Sequence, residues 1–128
     1  MTDIDTETRK RRAVEFLQLV VAGHIDEAHQ NFVDMRGKHH NVFFPAGFPA
    51  LQQAMKDSDV QFPNKKFTVK NIIAEGNMVA VHSHIILNPK EEGMVVVHIL
   101  RFEGEKIVEM WDIGQPIPAD SPNKDGAF

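Results

Sequence analysis

The chain has 128 residues, of which 42% are hydrophobic, and a formal net charge of −4. That length and apolar content support one core and one domain over residues 1–128, and no apolar run approaches the ~20 residues a membrane-spanning helix needs. The acidic balance argues against a nucleic-acid partner, and the lack of cysteine excludes disulfides, thiolate metal sites and a cysteine nucleophile.

Met1-Thr2-Asp3-Ile4-Asp5 carries no apolar stretch of the signal-peptide kind, so a cytoplasmic location is the expectation. Residues 6–22 read as a helix, because Ala13, Val14, Leu17, Val20 and Val21 recur at three- and four-residue spacing and form one apolar stripe. The basic run Arg9-Lys10-Arg11-Arg12 reads as a solvated face offset by Asp3, Asp5 and Glu7, not as a phosphate site. Gly23 is a helix stop. A short second helix over 25–33 places Ile25, Ala28, His29 and Phe32 on one face, with Asp26 and Glu27 near the positive end of its dipole.

Residues 38–47 have another texture. His39-His40-Asn41-Val42-Phe43-Phe44-Pro45 fits neither an amphipathic helix nor an alternating strand, and Pro45 and Gly47 mark it as irregular. A third helix over 48–56 follows, with Pro49 in its first turn and Leu51, Ala54 and Met55 apolar. His24, His29 and His39 read as surface residues.

From Phe67 the hydrophobic period changes to two. Strands are expected over 67–75, 78–87, 94–103 and 106–115, joined tightly at Gly76-Asn77 and Gly104-Glu105. Helices first and strands last make the class α+β, with three helices packed on a curved antiparallel meander. A proline-rich tail begins at Pro116.

Side chains alternate across a strand, so His82 and His84 share a face. Centring the hairpin on the loop 88–93 sets His98 opposite one of them. On the third strand, Arg101 belongs with Val95, Val97 and Ile99, which turns His98 inward with Val96, Leu100 and Phe102. On the fourth, Glu109 marks the outward set and sends Met110 and Asp112 inward. A strict two-residue turn would instead bring Trp111 across from His98; a bulge or longer loop is needed for Asp112. The outward residues Val79, Val81, Val95, Val97, Ile99 and Trp111 then form an apolar patch that suits a sheet-to-sheet homodimer.

This order of elements resembles the nuclear transport factor 2-like α+β cone. The segments His39-His40-Asn41, His82-Ser83-His84, His98-Ile99-Leu100-Arg101-Phe102-Glu103-Gly104 and Lys106-Ile107-Val108-Glu109-Met110-Trp111-Asp112 resemble the SnoaL-like polyketide cyclase branch of that superfamily. The resemblance implies that Asp112 is the acid/base of an intramolecular aldol condensation, and that His98 and Asn41 line the pocket. In related steroid isomerases the place of His98 holds an acid that stabilises a dienolate. The fold hosts many reactions and some plain binding proteins.

The chemistry is consistent with these residue types. Abstracting a proton next to a carbonyl needs a base, and a carboxylate in an apolar pocket has its pKa raised by desolvation. A histidine or amide donor would stabilise the enolate oxygen. Asp112 and His98 are therefore the expected catalytic pair. His82, His84, Asn41, His40, Phe44, Phe48 and Met110 are the expected pocket lining, and the expected partner is an apolar carbonyl-containing small molecule with no cofactor. Two other readings stay open: a non-catalytic binding module, and a metal site built from His82, His84, His98 and Asp112.

Overall fold

The first helix, α1 (Thr6–Val21), starts where Asp5 accepts a hydrogen bond from the Thr8 N–H at 2.8 Å. The structure, a computed structural model, describes residues 4–128; Asp3, the first acid expected to offset the basic run, lies outside them. The run itself is only partly solvated. Arg9 is buried and donates to the Ile4 carbonyl at 2.6 Å. Arg12 lies over the Phe32 ring and donates to the carbonyls of Glu105 and Asn31 at 2.8 and 2.9 Å. These long side chains cover apolar surface with their stems and fasten α1 to the last turn of the sheet.

α2 (Ile25–Phe32) passes without a loop into a strand that the period-two pattern did not reveal, β1 (Val33–His39). α3 (Phe48–Gln61) is five residues longer than its apolar spacing suggested. The other strands are β2 (Lys66–Glu75), β3 (Met78–Ile86), β4 (Met94–Glu103) and β5 (Lys106–Pro116), within a residue of their expected bounds. The sheet runs β1-β5-β4-β3-β2, with β1 parallel to β5 and every other pair antiparallel. The expected four-stranded antiparallel meander is thus five-stranded and mixed, and the three helices pack on one of its faces.

The core lies between them. Phe16 and Leu17 of α1 and Phe48 and Leu51 of α3 meet Val79, Val81, Leu100, Phe102, Ile107 and Met110 of the sheet. Val79 and Val81, expected on the outer face, are fully buried in this core. His29 is also core, not surface. Its ring packs against Phe16 and Phe48, and its Nδ1 is 2.8 Å from the Ile25 carbonyl. Burial pushes its pKa down.

Two details of register aim the inward side chains. Val81 pairs with His98, so His98 shares the inner face with Val79, Val81 and Ser83, while His82 and His84 share the outer face with Val97 and Val95. Gly93 sets this phase: its φ is +87°, and a Cβ there would lie 2.4 Å from the Ile85 carbonyl oxygen. On the other side of β4, Arg101 pairs with Glu109 but Phe102 with Ile107, leaving Val108 as a bulge. That extra residue brings Asp112 opposite His98.

Candidate functional site

Between α1, α3 and the inner sheet face lies a cavity of about 450 Å³. Leu17, Val20 and Met55 form its helical wall, and Phe67, Ile85 and Val96 its sheet wall. Phe43 and Phe44 come from the segment after β1 and stand at its mouth, Phe43 with 86% of its surface exposed. Polar side chains reach the cavity at two places: Asn41, His98 and Asp112 at one, Ser58 and Lys65 at the other.

At the first place, both carboxylate oxygens of Asp112 have neighbours. Oδ2 accepts a hydrogen bond from Asn41 Nδ2 at 2.9 Å, and Oδ1 lies 3.5 Å from His98 Nε2. The His98 side chain is 13% exposed, and that of Asp112 24%. Desolvation pushes the His98 pKa down and outweighs the opposing pull of Asp112, so the imidazole is neutral near pH 7. Its Nδ1 is buried without a hydrogen-bond partner among the described residues.

A relay of local bonds holds Asn41. The buried His39 donates through Nε2 to the Pro45 carbonyl at 2.8 Å, and its Nδ1 accepts the Asn41 backbone N–H at 3.1 Å. A single tautomer satisfies both bonds. Asn41 Oδ1 accepts from the Phe43 backbone N–H at 3.0 Å, which leaves its amide nitrogen for Asp112. His39, expected at the surface, is therefore the post around which this segment turns. Its place two residues before Asn41 and six before Pro45, within reach of both backbone groups, was the available signal.

Of the expected pocket residues, Asp112, His98, Asn41 and Phe44 come together at the cavity. His82 and His84 do not, because a one-residue difference in register moves a whole strand face. On the outer surface His82 Nδ1 accepts from Asn71, His84 Nε2 donates to the Glu92 carbonyl, and both rings touch Phe128. His40 also lies outside: it stacks on Trp111 with ring centres 5.0 Å apart and donates to Glu109 Oε2 at 2.6 Å. That bond, helped by Arg101, holds the Glu109 carboxyl below its usual range. Phe48 and Met110 are fully buried in the core and do not line the cavity. The four-residue metal reading fails on the same geometry, since His82 and His84 face away from His98 and Asp112. Among the described residues no group of three or more His, Asp or Glu is placed to hold a metal ion.

A family model for the SnoaL-like domain matches residues 13–110, a span that includes Asn41 and His98 and stops just before Asp112. No curated protein sequence matches. Among solved structures, a nuclear transport factor 2-like protein of unknown function from Burkholderia xenovorans superposes with a TM-score of 0.73 at 20% identity, covering 91% of this chain and 88% of that one. A Streptomyces galilaeus protein provisionally assigned as a hydroxylase gives 0.72 at 19% identity, over 87% and 91%. An Agrobacterium tumefaciens protein provisionally assigned as an isomerase of the SnoaL-like family gives 0.68 at 9% identity, over 84% and 98%. At these identities the structural likeness carries the fold alone.

Proposed function

The chain belongs to the SnoaL-like domain family, and on that premise we propose that its cavity takes an apolar carbonyl compound and that Asp112 moves a proton at the carbon next to the carbonyl. One observation carries this reading: a carboxylate, a neutral imidazole and a carboxamide converge on one point of a largely apolar wall.

Asn41 fixes the carboxylate by holding Oδ2, leaving Oδ1 as the base. The C–H bond breaks, the proton goes to Oδ1, and the electron pair moves to the carbonyl oxygen as an enolate. His98, neutral and beside Oδ1, donates a hydrogen bond from its Nε2–H to that oxygen and keeps the proton. A neutral donor suits this role because, unlike an imidazolium, it stabilises the enolate oxygen without holding Asp112 as an ion pair. The enolate then collapses onto carbon, either taking the proton back from Asp112 at a different carbon (isomerisation) or attacking a second carbonyl of the same molecule, whose oxygen takes that proton from Asp112 as the C–C bond forms (aldol closure). Neither route requires a cofactor.

The test is hydrogen–deuterium exchange at the α-carbon of phenylcyclohexanone, with the ring across from the carbonyl, followed by NMR in heavy water. The protein should accelerate exchange, and Asp112→Asn should lower the acceleration by about 100-fold or more while leaving ketone binding unchanged. Equal rates for the two proteins would overturn the assignment. A second reading draws on the same geometry: because Asn41 holds one Asp112 oxygen and His98 lies 3.5 Å from the other, the site can also serve as a carrier pocket without turnover. Binding without accelerated exchange is its signature. We also propose that the outer sheet face pairs with a second copy of the chain.

A further inference from the structure

Lys65 is the least expected polar residue in the cavity wall. Its side chain is 6% exposed, and a lysine this buried needs partners for its charge. Nζ donates to Asp59 Oδ1 at 3.1 Å and to the Phe62 carbonyl at 3.0 Å. Asp59 in turn is lodged under the α1–α2 turn: at Gly23, where φ is +90°, a Cβ would lie 2.9 Å from its Oδ2. The ammonium is therefore held from the side facing the turn. It has three N–H bonds, two of them used, and the third has no acceptor among the described residues. Ser58, one turn before Phe62 on α3, lines the cavity beside it.

We propose that Lys65 is the specificity-determining residue at the far end of the cavity, and that it donates its third hydrogen to a neutral oxygen on the ligand. The assignment rests on the carbonyl-compound reading above and narrows the substrate class. Lys65 immediately precedes β2 and Asp112 lies on β5: the two are three strand spacings apart across the sheet, about 14 Å, and the row Phe67–Ile85–Met94–Pro116 sets Lys65 about six residues, roughly 20 Å, further along the strands than the row of Asp112. The fitting molecule is accordingly elongated, apolar in its middle, with the reacting carbonyl at one end and a second carbonyl or hydroxyl at the other. Charge selects a neutral group there. The Asp59 carboxylate already balances the ammonium, so a ligand carboxylate would bring an uncompensated negative charge into an apolar chamber that also contains Asp112.

The test compares two probes by calorimetry: phenylcyclohexanone and its para-hydroxyphenyl analogue, which adds one oxygen at the end remote from the ketone. Wild type should bind the hydroxylated probe roughly tenfold more tightly, the value of a hydrogen bond from a charged donor. Lys65→Met should abolish that preference while the affinity for the plain probe holds. Because Lys65→Met strands Asp59 and can unfold the chain, the double variant Lys65→Met/Asp59→Asn removes both charges together and should show the same loss of preference. A preference that survives in either variant, or no preference in wild type, overturns the assignment. Both outcomes are read from binding alone, so they are independent of whether Asp112 exchanges a proton. Failure of wild type to bind either probe would overturn this assignment together with the reading it rests on.

Discussion

The ring of His98 is nearly enclosed, and its protonated form is disfavoured by burial more than Asp112 can offset. A histidine whose folded pKa lies below its unfolded value of about 6.5 takes up protons more readily when unfolded. Stability is then complete above that value and falls as pH drops through it toward the folded pKa. His29 is shifted the same way by the same cause, so the two act together. The unfolding free energy from urea titrations should fall between about pH 7.5 and about pH 5.5, by at most about 1.4 kcal/mol per pH unit for each group, and the midpoint with it. His98→Leu should reduce that slope and leave the part due to His29. A midpoint that does not change with pH would contradict the burial of both rings. The same neutrality matters at the site, since a charged imidazole beside Asp112 would hold the carboxylate as an ion pair and weaken it as a base. His39 acts at one remove: its two ring bonds shape the segment that delivers Asn41, and it touches neither the carboxylate nor the cavity.

The element that aims Asp112 is the bulge at Val108, and a glycine on the neighbouring strand makes room for it. Between the pairs Val33–Ile107 and Lys38–Glu109, β1 uses Asp34, Met35, Arg36 and Gly37 where β5 uses Val108 alone. A Cβ at Gly37 would lie 2.2 Å from the Val108 carbonyl oxygen and 3.0 Å from the Phe48 ring. Backbone cannot yield as a side-chain tip can, so Gly37→Ala should cost about 3 kcal/mol, the upper end for overpacking. It should also lower α-proton exchange beyond what lost stability explains, because a flattened bulge brings Trp111 in place of Asp112. Normal stability and exchange in the variant would show that β5 keeps its register without β1. Such details divide what the chain reveals in one dimension from what it does not. The period-two runs from Phe67 onward and the glycine turns were legible, as was the inward side of β4, because Arg101 cannot sit unpaired in a core. The bulge was legible as a requirement, since Asp112 and His98 meet only if β5 gains a residue. β1 was not, because it lies at the sheet edge and its sequence, Val33–His39, mixes charge and glycine without alternation. The facing of His82 and His84 was misread because a hairpin centred by its loop ignores the phase that Gly93 imposes. The better signal was the greater apolarity of Val79, Val81 and Ile85 over Met78, Ala80, His82 and His84.

For the whole molecule, that correction relocates the apolar outer surface. With Val79 and Val81 turned into the core, the outer face keeps a row that crosses four strands: Ile73, Ala80, Ile99 and Trp111 in direct register. Ile73 is 69% exposed. His40 extends the row by stacking on Trp111, and Arg101 and Glu109 border it as an ion pair at 3.0 Å. The adjoining part of the face is already covered, since Phe128 rests on His82 and His84 with Lys70 over its ring. A band of apolar side chains with a charged rim is the anatomy of an interface, and a two-fold axis through the band would pair each row with its own copy. The pairing leaves the cavity free, because helices and sheet separate the two faces. Wild type should therefore run as a dimer in light scattering, at twice the 14.5 kDa of one chain. Ile73→Glu combined with Ile99→Glu should yield monomers, since a charge buried at the end of the row and another in its middle each cost several kcal/mol when unpaired. Ketone binding by those monomers should match wild type, as no outer-face residue reaches the cavity. A monomeric wild type, or a double variant that remains dimeric, would assign the row to some other contact; lost ketone binding in a folded monomer would instead mean that the two faces are coupled through the sheet.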